Sequence, residues 1–449
     1  MKRGRNIALS FTLGLALLGL AGAALTAEPV PDSIYAIRGA KIYTLAGPPI
    51  ENGTIIIRDG KIAAVGQNLR VPARAQVINA RGLEVYPGLL DSISRLGLTE
   101  IGAVSATVDT TELGQYNPQL VAATAVHPAS EHIPVARANG ITHALAAPGA
   151  GGGFFALLFG GGASVIPGQG SLIHLSGWTI EEMAIEKSVA MMLNWPGIQT
   201  RRFDFATLSF KERPFTEAKK EYEEKVAKLE DWLEAAQHYA QAVENGSTAN
   251  FERDLKLAAL ARVVTGELPV MMLANDDRDI KNAVEFAEKH KLKMILAGGA
   301  EAWKVKDLLK EKNIPVILRP TQALPGAEDE PYDKPFTNPS ELHAEGIKIA
   351  FATFDSSDSR TLPYEAANAV PYGLPWEEAL KAVTLYPAQI LGVGDRLGTI
   401  EAGKIANLIV TDGDPLRIQT EVHYLFINGQ LTSTDNKHRQ LYEKYRARP

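Results

Sequence analysis

"LPVMMLANDDRDIKNAVEFAEKHKLKMILAGG", residues 268–299, decides the fold class. Residues 268–273 form a short apolar run of the kind buried in the middle of a sheet, 277–290 carry helical spacing, and 293–297 form a second apolar run. The alternation continues with a helix over 302–312, a strand over 315–318 and another over 347–353. Strand-helix repeats this short call for a parallel sheet with helices outside it, and closure into a barrel is the economical arrangement. A doubly wound open sheet is the alternative. The segment 87–395 is therefore expected to form an α/β barrel of TIM-like type.

Working outward, both flanks change character. Residues 34–85 read as short strands and turns, with Asp59-Gly60 as a hairpin signal, and the C-terminal stretch repeats this with Asn428-Gly429. The expectation is one composite β-sandwich built from 33–86 and 396–435. Within the barrel, 216–245 is a charged helix with an apolar stripe of Tyr222, Val226, Leu229, Leu233, Ala236 and Ala240. Packing on the barrel is the simpler reading, and a lid or partner-binding arm the other. Two glycine-rich stretches between Ala147 and Ser171 lack the Gly-Lys-Ser/Thr of a P-loop and read as loops over one barrel face, with a phosphate cradle as the weaker alternative.

Composition narrows the partners. The chain has 449 residues, a net charge of -6 and no cysteine, so disulfides, thiolate ligands and cysteine nucleophiles are all excluded. Charges of both signs are interspersed, which gives no basic stripe for nucleic acid. Lys2, Arg3 and Arg5 precede an apolar run and the small residues Ala21 to Ala24, the pattern of a secretory signal peptide ending near residue 27. An exported protein is expected, periplasmic or extracellular, with no stable membrane span after signal removal. Its partner is expected to be a small-molecule ligand or substrate, and a homo-oligomer is possible.

Several stretches carry a family resemblance: "IENGTIIIRDGKIAAVG" and "GLEVYPGLLD" at the front, "FATFDSSD" later, and "VTLYPAQILGVGDRLGTIEAGKIANLIVTDGDP" with "VHYLFINGQ" at the back. With these the chain resembles the amidohydrolase superfamily, in its imidazolonepropionase-like branch. That resemblance implies a metal-centred (β/α)8 barrel beside a split β-sandwich, hydrolysing carbon-nitrogen bonds of small molecules. It also implies Asp-x-His-x-His after the first barrel strand, a histidine on each of the fifth and sixth, and an aspartate on the eighth. A divalent metal lowers the pKa of its bound water to near neutrality, and the aspartate orients that water and moves its proton.

Against that pattern the chain keeps Asp91, but Ile93 and Arg95 occupy the two histidine positions, Leu273 the third and Gly298 the fourth. Asp355 alone remains as a catalytic aspartate. Catalytic zinc normally has three protein ligands, and even outer-sphere losses cost about 10–100-fold, so four lost ligands should abolish the inherited site. Arg95 adds a fixed positive charge where a cation would sit. The residues expected at the C-terminal ends of the strands are Arg95, Asn275, Glu301, Arg319 and Asp355, with Asn194 a further one, and His143 is the histidine best suited to a pocket.

Three functions follow. The first is a hydrolase using Asp355 as general base and Arg95 as electrostatic stabiliser. The second is a catalytically silent barrel that binds a small molecule or a protein, which the residues favour. The third is a zinc site rebuilt on His143 or His174; otherwise no cofactor is expected.

Overall fold

The computed structural model describes residues 34–149, 164–204, 207, 209–246, 253–325 and 330–448. The expected signal peptide and residues 150–163 of the glycine-rich region lie outside the described residues, whereas Gly168 to Ser171, expected as loop, begin a barrel strand.

The chain opens with β1 (Tyr35–Ile42), β2 (Ile50–Arg58) and β3 (Lys61–Gly66), paired antiparallel in that order, and β4 (Gln76–Asn79) and β5 (Glu84–Pro87) then add parallel to β1. Asp59 and Gly60 turn β2 into β3 with φ of 51° and 75°, the two left-handed residues that a tight hairpin matching strand twist requires. Alternation does the rest: Ile37, Ile42, Ile55 and Ile57 are fully buried on one face, while Arg38 is exposed on the other.

The barrel sheet contains β6 (Leu89–Ser94), β7 (Ile141–Ala146), β8 (Gly168–His174) and β9 (Ala184–Asn194). A small separate hairpin, β10 (Arg201–Asp204) with β11 (Ser209–Glu212), interrupts the series before β12 (Val270–Ala274), β13 (Met294–Gly298), β14 (Val316–Leu318) and β15 (Ile349–Phe351) complete it. The order is β15-β14-β13-β12-β9-β8-β7-β6, and every pairing is parallel except those of β8. A uniform (β/α)8 pattern is thus broken at one strand. The cause lies in the connection: only residues 175–183 separate β8 from β9, and a parallel crossover needs about a dozen or more.

Every strand contributes to an apolar interior, including Leu90, Ile93, Leu145, Leu172, Met192, Met271, Ile295, Ile317 and Ala350, with Ala388, Leu391 and Leu397 packed into the same cluster. Their alternates face outward under the helices: α1 (His132–Ala138), α2 (Phe215–Glu244), α3 (Leu255–Val264), α4 (Asp277–Lys289), α5 (Lys306–Glu311), α6 (Lys334–Ala344) and α7 (Leu362–Ala369). Helix α2 buries Ala218, Leu229, Leu233 and Ala236 in this outer layer, and its Trp232 stacks on Tyr116 at 5.9 Å between centroids. The apolar stripe therefore packs on the body. Among the described residues no helix is long and apolar enough to cross a membrane.

The chain then returns to the first sheet. Strands β16 (Leu408–Thr411), β17 (Val422–Ile427) and β18 (Gln430–Thr432) join antiparallel, with β16 beside β5, giving the order β18-β17-β16-β5-β1-β2-β3. Asn428 and Gly429 repeat the left-handed pair, at 48° and 74°. Both ends of the chain thus share one eight-stranded sheet.

Candidate functional site at the barrel mouth

The barrel closes between its first and last strands through individual bonds. Phe354 N donates to Ile93 O at 2.9 Å, Arg95 N to Asp355 O at 3.3 Å, and Thr353 donates to Asp91 twice, from its amide at 3.1 Å and its hydroxyl at 2.5 Å. Ser94 Oγ and Ser359 Oγ are 3.0 Å apart, and Ser359 Oγ donates to Asp355 O. This hydroxyl-rich seam, Ser94, Thr353 and Ser359, was not visible as a site in the sequence; the dense hydroxyls of "FATFDSSDSR" are its only signal. Asp91 is fully buried there, and burial, partly offset by the Thr353 bonds, raises its pKa to about 7.

Arg95 and Asp355 meet at this seam. Arg95 Nε donates to Phe354 O at 3.0 Å, and its Nη2 stands 3.8 Å from Asp355 Oδ2, an ion pair without a direct hydrogen bond. Asp355 Oδ1 is taken by its own loop, accepting from Ser357 Oγ at 2.7 Å, Ser357 N at 2.8 Å and Asp358 N at 3.2 Å. Burial pushes the Asp355 carboxyl up, but the donors of Ser357 and Asp358 and the Arg95 charge outweigh it and hold it below the usual carboxylate range. A carboxylate so held is a weak general base at neutral pH. The backbone before it is strained, since Phe354 has φ of 56°, a conformation that bulky residues rarely adopt.

The other mouth residues divide. Asn194 ends β9 and donates from Nδ2 to Ser164 O at 2.8 Å, tying down the chain after the glycine-rich stretch. Asn275 follows β12 with its Oδ1 buried and unpartnered among the described residues. Arg319 follows β14 and is exposed. Glu301 serves structure instead of a pocket. It is buried, caps the start of α4 by accepting from Asp277 N at 2.8 Å, and pairs with Lys304 at 2.5 Å.

His143 requires a correction. It is 1% exposed and lies level with the last residue of β8, His174, toward the N-terminal end of the barrel. There Asn407 Nδ2 lies 3.2 Å from His174 Nδ1 and 3.5 Å from His143 Nδ1, and Thr142 Oγ1 contacts His143 Nδ1 at 2.6 Å. Because β8 runs backwards, its last residue is carried away from the mouth. Burial lowers the pKa of His143 to about 3, with His174 adding to it, and that of His174 to about 4, so both are neutral.

The residues at the expected ligand positions do not fit a metal. Ile93 packs in the interior cluster, Leu273 packs against it, and Arg95 is cationic. At Gly298, with φ of 95°, an added Cβ would stand 2.6 Å from Asn275 Oδ1 and 3.0 Å from Ala274 O, so no larger side chain fits without movement. Among the described residues no group of three or more His, Asp or Glu is placed to hold a metal ion.

The family model described as "Amidohydrolase family" matches residues 332–434. Amidohydrolase tasK of Hapsidospora irregularis is 26% identical over 90% of this chain, which spans only 42% of that protein. N-acetylglucosamine-6-phosphate deacetylase of Haemophilus influenzae is 44% identical over 63 residues, 13% of this chain and 16% of that protein. Among solved structures, an amidohydrolase from Thermotoga maritima superposes with a TM-score of 0.74 at 24% identity, covering 89% of this chain and 99% of that one. Phenylurea hydrolase B superposes at 0.54 with 15% identity over 90% and 97%. The chain thus matches the amidohydrolase family model over one segment and is similar in fold to solved amidohydrolases.

Proposed function

We propose that this is an exported, metal-independent relative of the amidohydrolases whose barrel mouth binds a small polar molecule without hydrolysing it. The observation that carries the reading is the seat of Arg95: its guanidinium is fixed on Phe354 O and faces Asp355, at a position where the family resemblance would put a histidine. A permanent cation there opposes a divalent ion and offers a planar hydrogen-bonding fork to a carbonyl or carboxylate. Asn194, Asn275 and Arg319 add amides and a second guanidinium at the ends of β9, β12 and β14, so the recognised ligand is polar and acceptor-rich. Export rests on the signal-peptide pattern of residues 1–27.

A second reading, metal-free hydrolysis of a carbon-nitrogen bond with Asp355 as base, draws support from the strained Phe354 immediately before that carboxylate. One experiment separates them. The purified protein is incubated with a panel of lactams, hydantoins and N-acyl amino acids, with and without chelator, while ligand-induced thermal shifts and product formation are both recorded. Stabilisation by a panel member without turnover supports binding alone, and turnover indifferent to chelator supports the second reading. Chelator-sensitive turnover, or a stoichiometric metal lost on Asp355→Asn, overturns both.

A further inference from the structure

The exposed face of the first sheet holds a polar pocket that shares no lining residue with the barrel mouth. Arg38 on β1 is the cross-strand neighbour of Thr54 on β2 and of Asn79 on β4, so one rung across three strands presents a guanidinium between a hydroxyl and an amide. Asn52, two residues before Thr54, shares that face, and Arg81 follows β4. At Gly39, φ is 81° and the β1–β2 register shifts beside it. The absent Cβ leaves room for the stem of Arg81: that position is 2.8 Å from Arg81 Cγ and 3.6 Å from Asn52 Oδ1. Asn68 and Leu69 complete a cavity of about 290 Å³. This lies at the lower end of the ordinary range for small-ligand pockets, roughly 300–1,000 Å³.

Its chemistry is one-sided. Two arginines and three asparagines line it and no carboxylate does, although the whole chain is net acidic at -6. Two guanidiniums sharing a cavity repel one another, and neither is relieved by an ion pair among the described residues. We propose that this pocket is a binding site for the oxyanion group of a small molecule, a phosphate or a carboxylate, held by Arg38 and Arg81 with asparagine amides completing the shell. Planar forks suit such oxygens, and the relief of repulsion adds to binding at low ionic strength.

Calorimetric titration of the full protein with inorganic phosphate in one arm and succinate in the other, at low and matched ionic strength, tests this and identifies the source. Saturable binding of at least one anion is expected, weakened at least tenfold by Arg38→Ala and by Arg81→Ala. Gly39→Ala should weaken it similarly by displacing the Arg81 stem, and Arg95→Ala should leave it in place, which separates this pocket from the barrel mouth. Unfolding midpoints guard against a misfolded Arg38 variant, and Arg81→Gln, on an exposed turn residue, reads the site independently. No saturable binding of either anion, or binding unchanged in the Arg38 and Arg81 variants, overturns the proposal.

Discussion

Arg95 shows how one side chain can be held by several weak ties. Its Phe354 carbonyl bond is of ordinary length, 3.0 Å, and partly buried, whereas its ionic partner is 3.8 Å away with a third of the Asp355 side chain exposed. Hydrogen bonds to charged groups contribute about 1.5–3 kcal/mol, and a solvent-screened ion pair under about 1 kcal/mol. Arg95→Ala should therefore lower unfolding stability by about 2 kcal/mol in urea titrations, and Asp355→Asn by less than 1 kcal/mol, since asparagine retains an acceptor for Ser357. Equal losses would mean that the ion pair dominates. Gly298→Ala should cost more than about 1 kcal/mol, because its Cβ would crowd the rigid Ala274 carbonyl as well as Asn275, and a left-handed residue is strained besides. That Arg95 and Asp355 stand just beyond barrel strands is legible in the sequence, because the apolar runs before them mark the strands. The orientation of Asp355 is not, because its partners Ser357 and Asp358 compete locally for the same oxygen.

Elements whose signals are local were read well. Helix α2 was expected over 216–245 and spans Phe215–Glu244, since an apolar stripe at spacings of three and four specifies both the helix and its buried face. Leu233, 2% exposed, lies in that stripe; Lys220, paired with Glu224 at 3.8 Å, lies on the solvent side. Leu233→Ala should cost about 2–5 kcal/mol and Lys220→Ala less than about 0.5 kcal/mol, measured as shifts of the chemical-unfolding midpoint. Comparable losses would contradict the buried stripe. Strand β8 illustrates the opposite case. Its first residues, Gly168 to Ser171, fall in a glycine-rich stretch that reads as a loop, its direction depends on the length of the connection to β9, and that reversal carries His174 away from the mouth to lie beside His143 in the first half of β7. Strand direction is a property of the sheet, not of the strand's own residues.

At the scale of the whole molecule, the buried titratable groups pull stability in opposite directions with pH. His143 and His174 are depressed to about 3 and about 4 from 6.5, so their contribution is complete above pH 6.5 and is lost as pH falls below it. Asp91 is raised to about 7 from 3.8, so its contribution is complete below about pH 4 and is lost as pH rises through 7. Between about pH 4 and 6.5 the unfolded chain binds two more protons at the histidines and the folded chain one more at Asp91. The net difference of one makes these groups raise stability by on the order of 1 kcal/mol per pH unit over that window. From 6.5 to 7 only Asp91 still titrates, and the sign reverses. The three groups together place a stability maximum near pH 6.5. Asp91→Asn should about double the acid-side slope and remove the decline above 6.5, while His174→Gln should flatten the acid side. Urea midpoints for each protein from pH 4.5 to 8 test this, and differences between wild type and variant cancel the other ionisable groups. Parallel curves for wild type and Asp91→Asn would show that Asp91 titrates as an ordinary carboxylate, and that the seam between the first and last barrel strands carries its charge without cost.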